Sequence, residues 1–145
     1  MNSDENEKNV LDEVNKGACM GKDAVHFLLD KAKSEKMKHD LKVLSSKYDT
    51  ILHKIKNIFP HYSWGEPHKT STMNKVMTWY GIEMKTFMDS STSKIAELLL
   101  QGTNMGIIEG RRLLNHKDCD AKVQLLTHEF VSLQEEAVET FKLYL

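Results

Sequence analysis

The chain predicts an all-α fold, a bundle of four principal helices, and three observations carry that reading. Apolar residues recur at a helical period of about 3.6 over four long stretches. The two prolines, Pro60 and Pro67, fall in one short stretch and leave the rest uninterrupted. The connections are unequal: the first and second stretches are joined tightly, as are the third and fourth, and a long segment separates the pairs. At 145 residues the chain is the size of one ordinary domain, 1–145, able to bury a core without staples.

The first helix is predicted over residues 10–33, after a polar, frayed N-terminus at 1–9. Placed at 100° per residue, Val10, Leu11, Val14, Gly17, Ala18, Gly21, Val25 and Leu28 share one face, small at its centre. Asp12, Lys16, Cys19, Asp23, His26 and Asp30 lie opposite. Ser34 is the expected cap of a second helix reaching Phe59, with Met37, Leu41, Leu44, Tyr48, Ile51 and Ile55 inward and Pro60 as its stop. Residues 60–72 read as a loop. A shorter connecting helix over 72–88 carries Met73, Met77, Tyr80, Met84, Phe87 and Met88 on one face, so 60–90 forms a loop plus crossover helix. A break is expected near Asp89 to Ser91, because one helix from 72 to 116 would exceed roughly 60 Å.

The third principal helix, 92–115, contains Gly102-Thr-Asn-Met-Gly106-Ile-Ile-Glu-Gly110. A mid-helix glycine costs about 0.5–1 kcal/mol relative to alanine, and three together roughly 2–3 kcal/mol. Close approach of another backbone is the expected compensation. The same helix is apolar over more than half its circumference, from Leu98 round to Leu100 and Ile107, which predicts a central position or one shared between two subunits. The last helix starts from Asp118 or Asp120 and runs to the C-terminus, with Val123, Leu126, Phe130, Leu133, Ala137 and Phe141 inward and Gln134 among them.

A long connection travelling the bundle's length makes the second and third helices parallel, which is ferritin-like connectivity. The run Met88-Asp-Ser-Ser-Thr-Ser-Lys-Ile-Ala-Glu-Leu-Leu-Leu-Gln-Gly-Thr-Asn-Met-Gly-Ile-Ile108, with Asn15-Lys-Gly-Ala-Cys-Met-Gly21 and the ending Glu135 to Leu145, resembles a family of small, uncharacterised bacterial proteins of Firmicutes type. The resemblance implies a ferritin-like four-helix bundle and brings no activity with it. Ferritin-like enzymes hold two metals with a Glu from each of two helices and Glu-x-x-His from each of the others. This chain has no Glu-x-x-His; Asp23-x-x-His26 is the nearest pattern, on an outward face. Gly17 and Gly21 occupy the core stripe where a carboxylate would project. Glu97 lies nearly opposite the glycines, and His128, Glu135 and Glu139 point away from the last apolar stripe.

No catalytic, cofactor-binding or metal-ligating set emerges. Seven histidines (His26, His39, His53, His61, His68, His116, His128) fall on different helices or in loops, and a metal would need several to converge. His61 with His68, flanking Trp64 and Glu66, is the nearest to a cluster. Cys119 sits at a helix start, where the dipole can lower a thiol pKa, but neither a CxxC nor an adjacent histidine supports redox chemistry. Cys19 points outward at a different height, which argues against a disulfide. A net charge of −1 with interspersed signs suggests neither a nucleic-acid nor an acidic-tail role, and no apolar run reaches the roughly 20 residues of a membrane span.

The expectation is a cytoplasmic homodimer, associating through its crossover and third helix, acting as a non-enzymatic scaffold or binding protein without cofactor. The alternatives are a di-iron-type oxidoreductase with non-standard ligands, through residues such as Glu97 or Glu109, and a peptide or small apolar ligand-binding module using the Met-rich crossover.

Overall fold

The structure, a computed structural model, describes residues 3–67 and 91–145. His68, the crossover helix expected over 72–88 with its Met-rich face, and Asp89 lie outside those residues. The described elements are α1 (Ser3–Lys31), α2 (Glu35–Ile58), a 3₁₀ turn (Phe59–Tyr62), α3 (Thr92–His116), α4 (Ala121–Phe141) and a second 3₁₀ turn (Lys142–Tyr144), with no strand among them.

Caps define the helix starts. Ser34 Oγ accepts the Met37 N–H at 3.3 Å, Ser91 Oγ the Lys94 N–H at 3.2 Å, and Asp120 Oδ1 the Val123 N–H at 3.0 Å. Of the two aspartates offered for α4, Asp120 is therefore the cap. Helix α1 starts at Ser3, two turns before the expected Val10, so residues 3–9 of the stretch expected to be frayed are helical. Asp4 and Glu5 lie in its first turn, where the positive end of the helix dipole favours them. Asp4 also accepts from Trp64 Nε1 at 3.0 Å, and Glu7 is buried against Asp120. Pro60 ends α2 without opening a loop at once. It sits in the first turn of the 3₁₀ segment, where no N–H is needed, and Ser63 and Gly65, at φ 60° and 80°, then turn the chain. The last helix ends at Phe141, short of the C-terminus, in the second 3₁₀ turn.

Side-chain pairs give the helix directions. His26 lies beside Ser45 and Gly21 under Tyr48, so α1 and α2 are antiparallel. Lys47 pairs with Glu136 and Lys54 with Glu129, so α2 and α4 are antiparallel too. Gly106 faces Gln134 and Gly110 faces Val131, which makes α3 antiparallel to α4. Glu7 meets Asp120 and Gly17 meets Phe130, with numbers rising together, so α1 and α4 run parallel across a diagonal. Helix α3 consequently runs parallel to α2. The ring order is α1, α2, α4, α3, around one core that includes Leu11, Leu28, Leu41, Ile55, Ile95 and Phe141.

The glycines are seats for side chains. A Cβ on Gly17 would lie 2.7 Å from Phe130 Cζ, and one on Gly110 would lie 2.5 Å from Val131 Cγ2. One on Gly21 would overlap the Tyr48 ring, and one on Gly106 the Gln134 carboxamide. The expected backbone-to-backbone approach is thereby corrected at these four positions: α2 and α4 supply large side chains and α1 and α3 supply the vacancies. The apolar arc of α3 is taken up largely within the chain. Leu98 is buried and Leu100 and Ile107 half-buried, while Met105 and Ile108 remain 58% and 44% exposed.

Gly21→Ala tests this packing. Better helix propensity contributes about 0.5–1 kcal/mol, whereas displacing a buried ring costs about 1–3 kcal/mol. The variant should lose stability in urea denaturation, and a gain would show that the ring moves aside freely.

Candidate functional site

Two polar clusters lie inside the bundle. The first is central. Tyr48 on α2 and Gln134 on α4 are each 2% exposed. The Tyr48 hydroxyl donates to Gln134 Oε1 at 3.1 Å, and Gln134 Nε2 donates to the Phe130 carbonyl at 3.1 Å. Gly21 on α1 seats the tyrosine ring and Gly106 on α3 seats the carboxamide, so every principal helix contributes one residue at this level. Both partners are neutral at ordinary pH, and the couple offers neither a nucleophile nor a metal ligand set. Phe130 over Gly17 and Val131 against Gly110 fill the adjoining layer. Gln134 was legible as an inward residue, but its partner was not: Tyr48 looks like one more apolar position of α2.

The second cluster closes the pole where α2 ends. Asp120 is its hub: its carboxylate caps α4 through Val123 and accepts from the Tyr62 hydroxyl, and its backbone N–H donates to Glu7 Oε1 at 3.2 Å. Trp64 stacks on Tyr62 with ring centroids 4.3 Å apart and meets Phe59 edge-on. Burial holds the Glu7 carboxyl above the usual carboxylate range. The Asp120 N–H opposes that shift, and the charges of Asp120 and Asp4 add to it. Beside it, burial pushes the Cys119 thiol up, reinforced by the charges of Glu7 and Asp118. The expected lowering by the helix dipole is thereby corrected. Cys119 lies outside the cap, and the Val123 N–H is already bonded to Asp120. The thiol is held protonated at neutral pH, the wrong state for a nucleophile.

At the opposite pole Tyr144 donates to Asp40 Oδ2 at 2.5 Å, and burial followed by that bond pushes its hydroxyl up to about 12. Near it α2 and α4 border a shallow groove of about 60 Å³, with Asp40, Lys47, Leu133 and Phe141 in its wall, room for a few waters.

The remaining candidates stay apart. His26, His39, His53, His61, His116 and His128 are all exposed. Among the described residues no three His, Cys, Asp or Glu side chains converge as a metal site. Trp64 is engaged with Asp4 and Tyr62, while His61 and Glu66 face solvent. Glu97 pairs with Lys94 at 2.6 Å, Glu109 with Arg112 at 3.1 Å, Glu135 with Arg111 at 3.1 Å, and Glu139 with Lys142. Cys19 and Cys119 are both free thiols. No described helix is long and apolar enough to cross a membrane.

Two outcomes follow from these clusters. Gly106→Ala should destabilise the chain, because a methyl displaces a hydrogen-bonded carboxamide whose loss of partner costs about 1–3 kcal/mol, more than the helix gains. Gly106→Leu should be worse still, and equal melting temperatures for Gly106→Leu and wild type would remove the seat from the account. For Glu7 the folded carboxyl holds its proton more tightly than the unfolded chain, so its contribution to stability rises as pH falls from neutrality toward and through the raised pKa. Glu7→Gln keeps the acceptor and removes the titration. It should be at least as stable as wild type at about pH 7, and wild type should gain on it as pH falls to about 5. Urea melts at the two pH values measure the difference.

No protein-family model, curated protein or solved structure matches the chain, so its functional reading stands on its own residues.

Proposed function

We propose that this chain is a non-catalytic, ferritin-like scaffold that works through its surface as a homodimer. The parallel course of α2 and α3, derived from the side-chain pairs, supports the ferritin-like assignment. One observation carries the non-catalytic reading: the centre of the bundle is filled. In a di-metal bundle, carboxylates and histidines from facing helices project inward at this level. Here Tyr48, Phe130, Val131 and Gln134 occupy it, seated over Gly17, Gly21, Gly106 and Gly110. The carboxylates open to the oxidoreductase alternative, Glu97 and Glu109, face outward and pair with Lys94 and Arg112.

The dimer reading rests on α3. Met105 and Ile108 stand one turn apart on its outer face, both exposed. A two-fold axis beside them would place the same pair against itself, the commonest arrangement for a small homo-oligomer.

Metal analysis with light scattering on untagged protein tests both halves. The proposal expects less than about 0.2 iron or manganese per chain, given the missing ligand set, and a mass of two chains at micromolar concentration. Two tightly held metals per chain, lost on replacing Glu97 or Glu109, would turn the reading to an oxidoreductase. A wild-type mass of one chain would reject the dimer alone. Met105→Glu with Ile108→Glu should shift a dimer to monomer with helical content retained.

A further inference from the structure

We infer that Glu7 is a proton-operated latch. From α1 it supplies the capping bond that α4 lacks, so the first turns of both helices close together when its carboxyl is protonated and open together when it ionises. The start of α4 holds half of a capping box. Asp120 Oδ1 accepts the Val123 N–H, but the residue at that third helical position, which in a full box returns a bond to the cap's own N–H, is a valine. Glu7 Oε1 accepts the Asp120 N–H instead, at 3.2 Å, from a helix 113 residues away in sequence.

The same bond ties down the start of α1. Among residues 4–9 only Glu7 is buried, at 6% exposure, and a helix end without an anchor frays. Asp4 also accepts from Trp64 Nε1, but on the exposed surface, where water can replace either partner.

The surroundings of Glu7 set the direction of the switch. Asp4 lies one turn earlier on its own helix, and Asp120, with the Tyr62 hydroxyl bonded to it, stands at the start of α4. Asp118 and Cys119 precede it in the connection from α3. Among the described residues the charges acting on the Glu7 carboxyl, those of Asp120 and Asp4, are both negative, while the Lys117 ammonium acts on the Cys119 thiol. Burial holds the carboxyl above its ordinary 4.5, although the Asp120 N–H favours the ionised form. Protonated, Glu7 keeps a carbonyl oxygen for that N–H without burying a charge. Ionised, it is better solvated by water, which it reaches when the first turns of α1 leave the body. Its contribution to closure is therefore fully present below 4.5 and is lost as pH rises through the raised folded value.

Amide hydrogen exchange on the full chain, read residue by residue by NMR and corrected for the intrinsic rate at each pH, tests the latch. In wild type the amides of residues 7–9 should be several-fold better protected at about pH 5 than at about pH 7, and those of Asp120, Val123 and Gln124 should change by the same factor. All of them should be less protected than Ile51 and Phe130 at mid-bundle, because the pole opens without the rest. Glu7→Gln, which keeps the acceptor and cannot ionise, should hold the closed level at both pH values. Glu7→Ala, which removes the acceptor, should lower the protection of the three α4 amides at about pH 5. Unchanged α4 amides in Glu7→Ala would overturn the latch by removing its cap. A pH dependence absent from wild type, or surviving in Glu7→Gln, would overturn it by removing its proton. Protection at the pole equal to that of Ile51 would overturn it as well, by showing that the pole opens only with the whole bundle.

Discussion

Large side chains on α2 and α4 need somewhere to go, and the backbones of α1 and α3 make room for them. Tyr48, Phe130, Val131 and Gln134 each lie where a neighbouring helix would otherwise carry a Cβ. Helix spacing at the middle of the bundle, the closure of its centre and the burial of a polar couple all follow from that division of labour. The energies are consistent with it. A glycine costs its helix about 0.5–1 kcal/mol, whereas burying a large apolar side chain contributes about 1.5–3 kcal/mol. Three such exchanges, at Tyr48, Phe130 and Val131, favour the packed arrangement even though two helices are individually weakened.

The same logic gives the two halves of the molecule an approximate correspondence. Each hairpin begins with the helix that supplies vacancies and ends with the one that fills them. Each filling helix leads into a 3₁₀ turn whose tyrosine donates to an aspartate near the start of the other filling helix, Tyr62 to Asp120 and Tyr144 to Asp40. The poles are closed by equivalent bonds between different residues. They differ in what surrounds the bond: Glu7, Cys119 and Trp64 at one pole, Phe141 and the Lys36 ammonium over the Tyr144 ring at the other.

Among the described residues the four principal helices and most of their boundaries were legible because apolar periodicity and capping residues are local signals. Ser34, Ser91 and Asp120 each cap the helix that follows them, and the stripes of α2 and α4 are buried as their spacing requires. Residues 3–9 were misread because their order comes from contacts with Trp64 and Asp120, far away in sequence and invisible to any window. The glycines announced close packing but not its partner, since a missing Cβ is equally compatible with a backbone or a ring. Cys119 shows the limit of arguing from a helix end alone. Its position suggested an acidic thiol, and burial beside Glu7, a tertiary fact, reversed the sign.

Parallel α1 and α4 set where the chain leaves the body. In an up-and-down bundle of four helices the first and last residues emerge side by side. Here the N-terminal end of α1 and the C-terminal end of α4 emerge at opposite poles, roughly 40 Å apart for helices of this length. Tandem fusions would therefore string copies pole to pole like beads on a rod. A circular permutant would need a linker of at least about a dozen extended residues to close that distance.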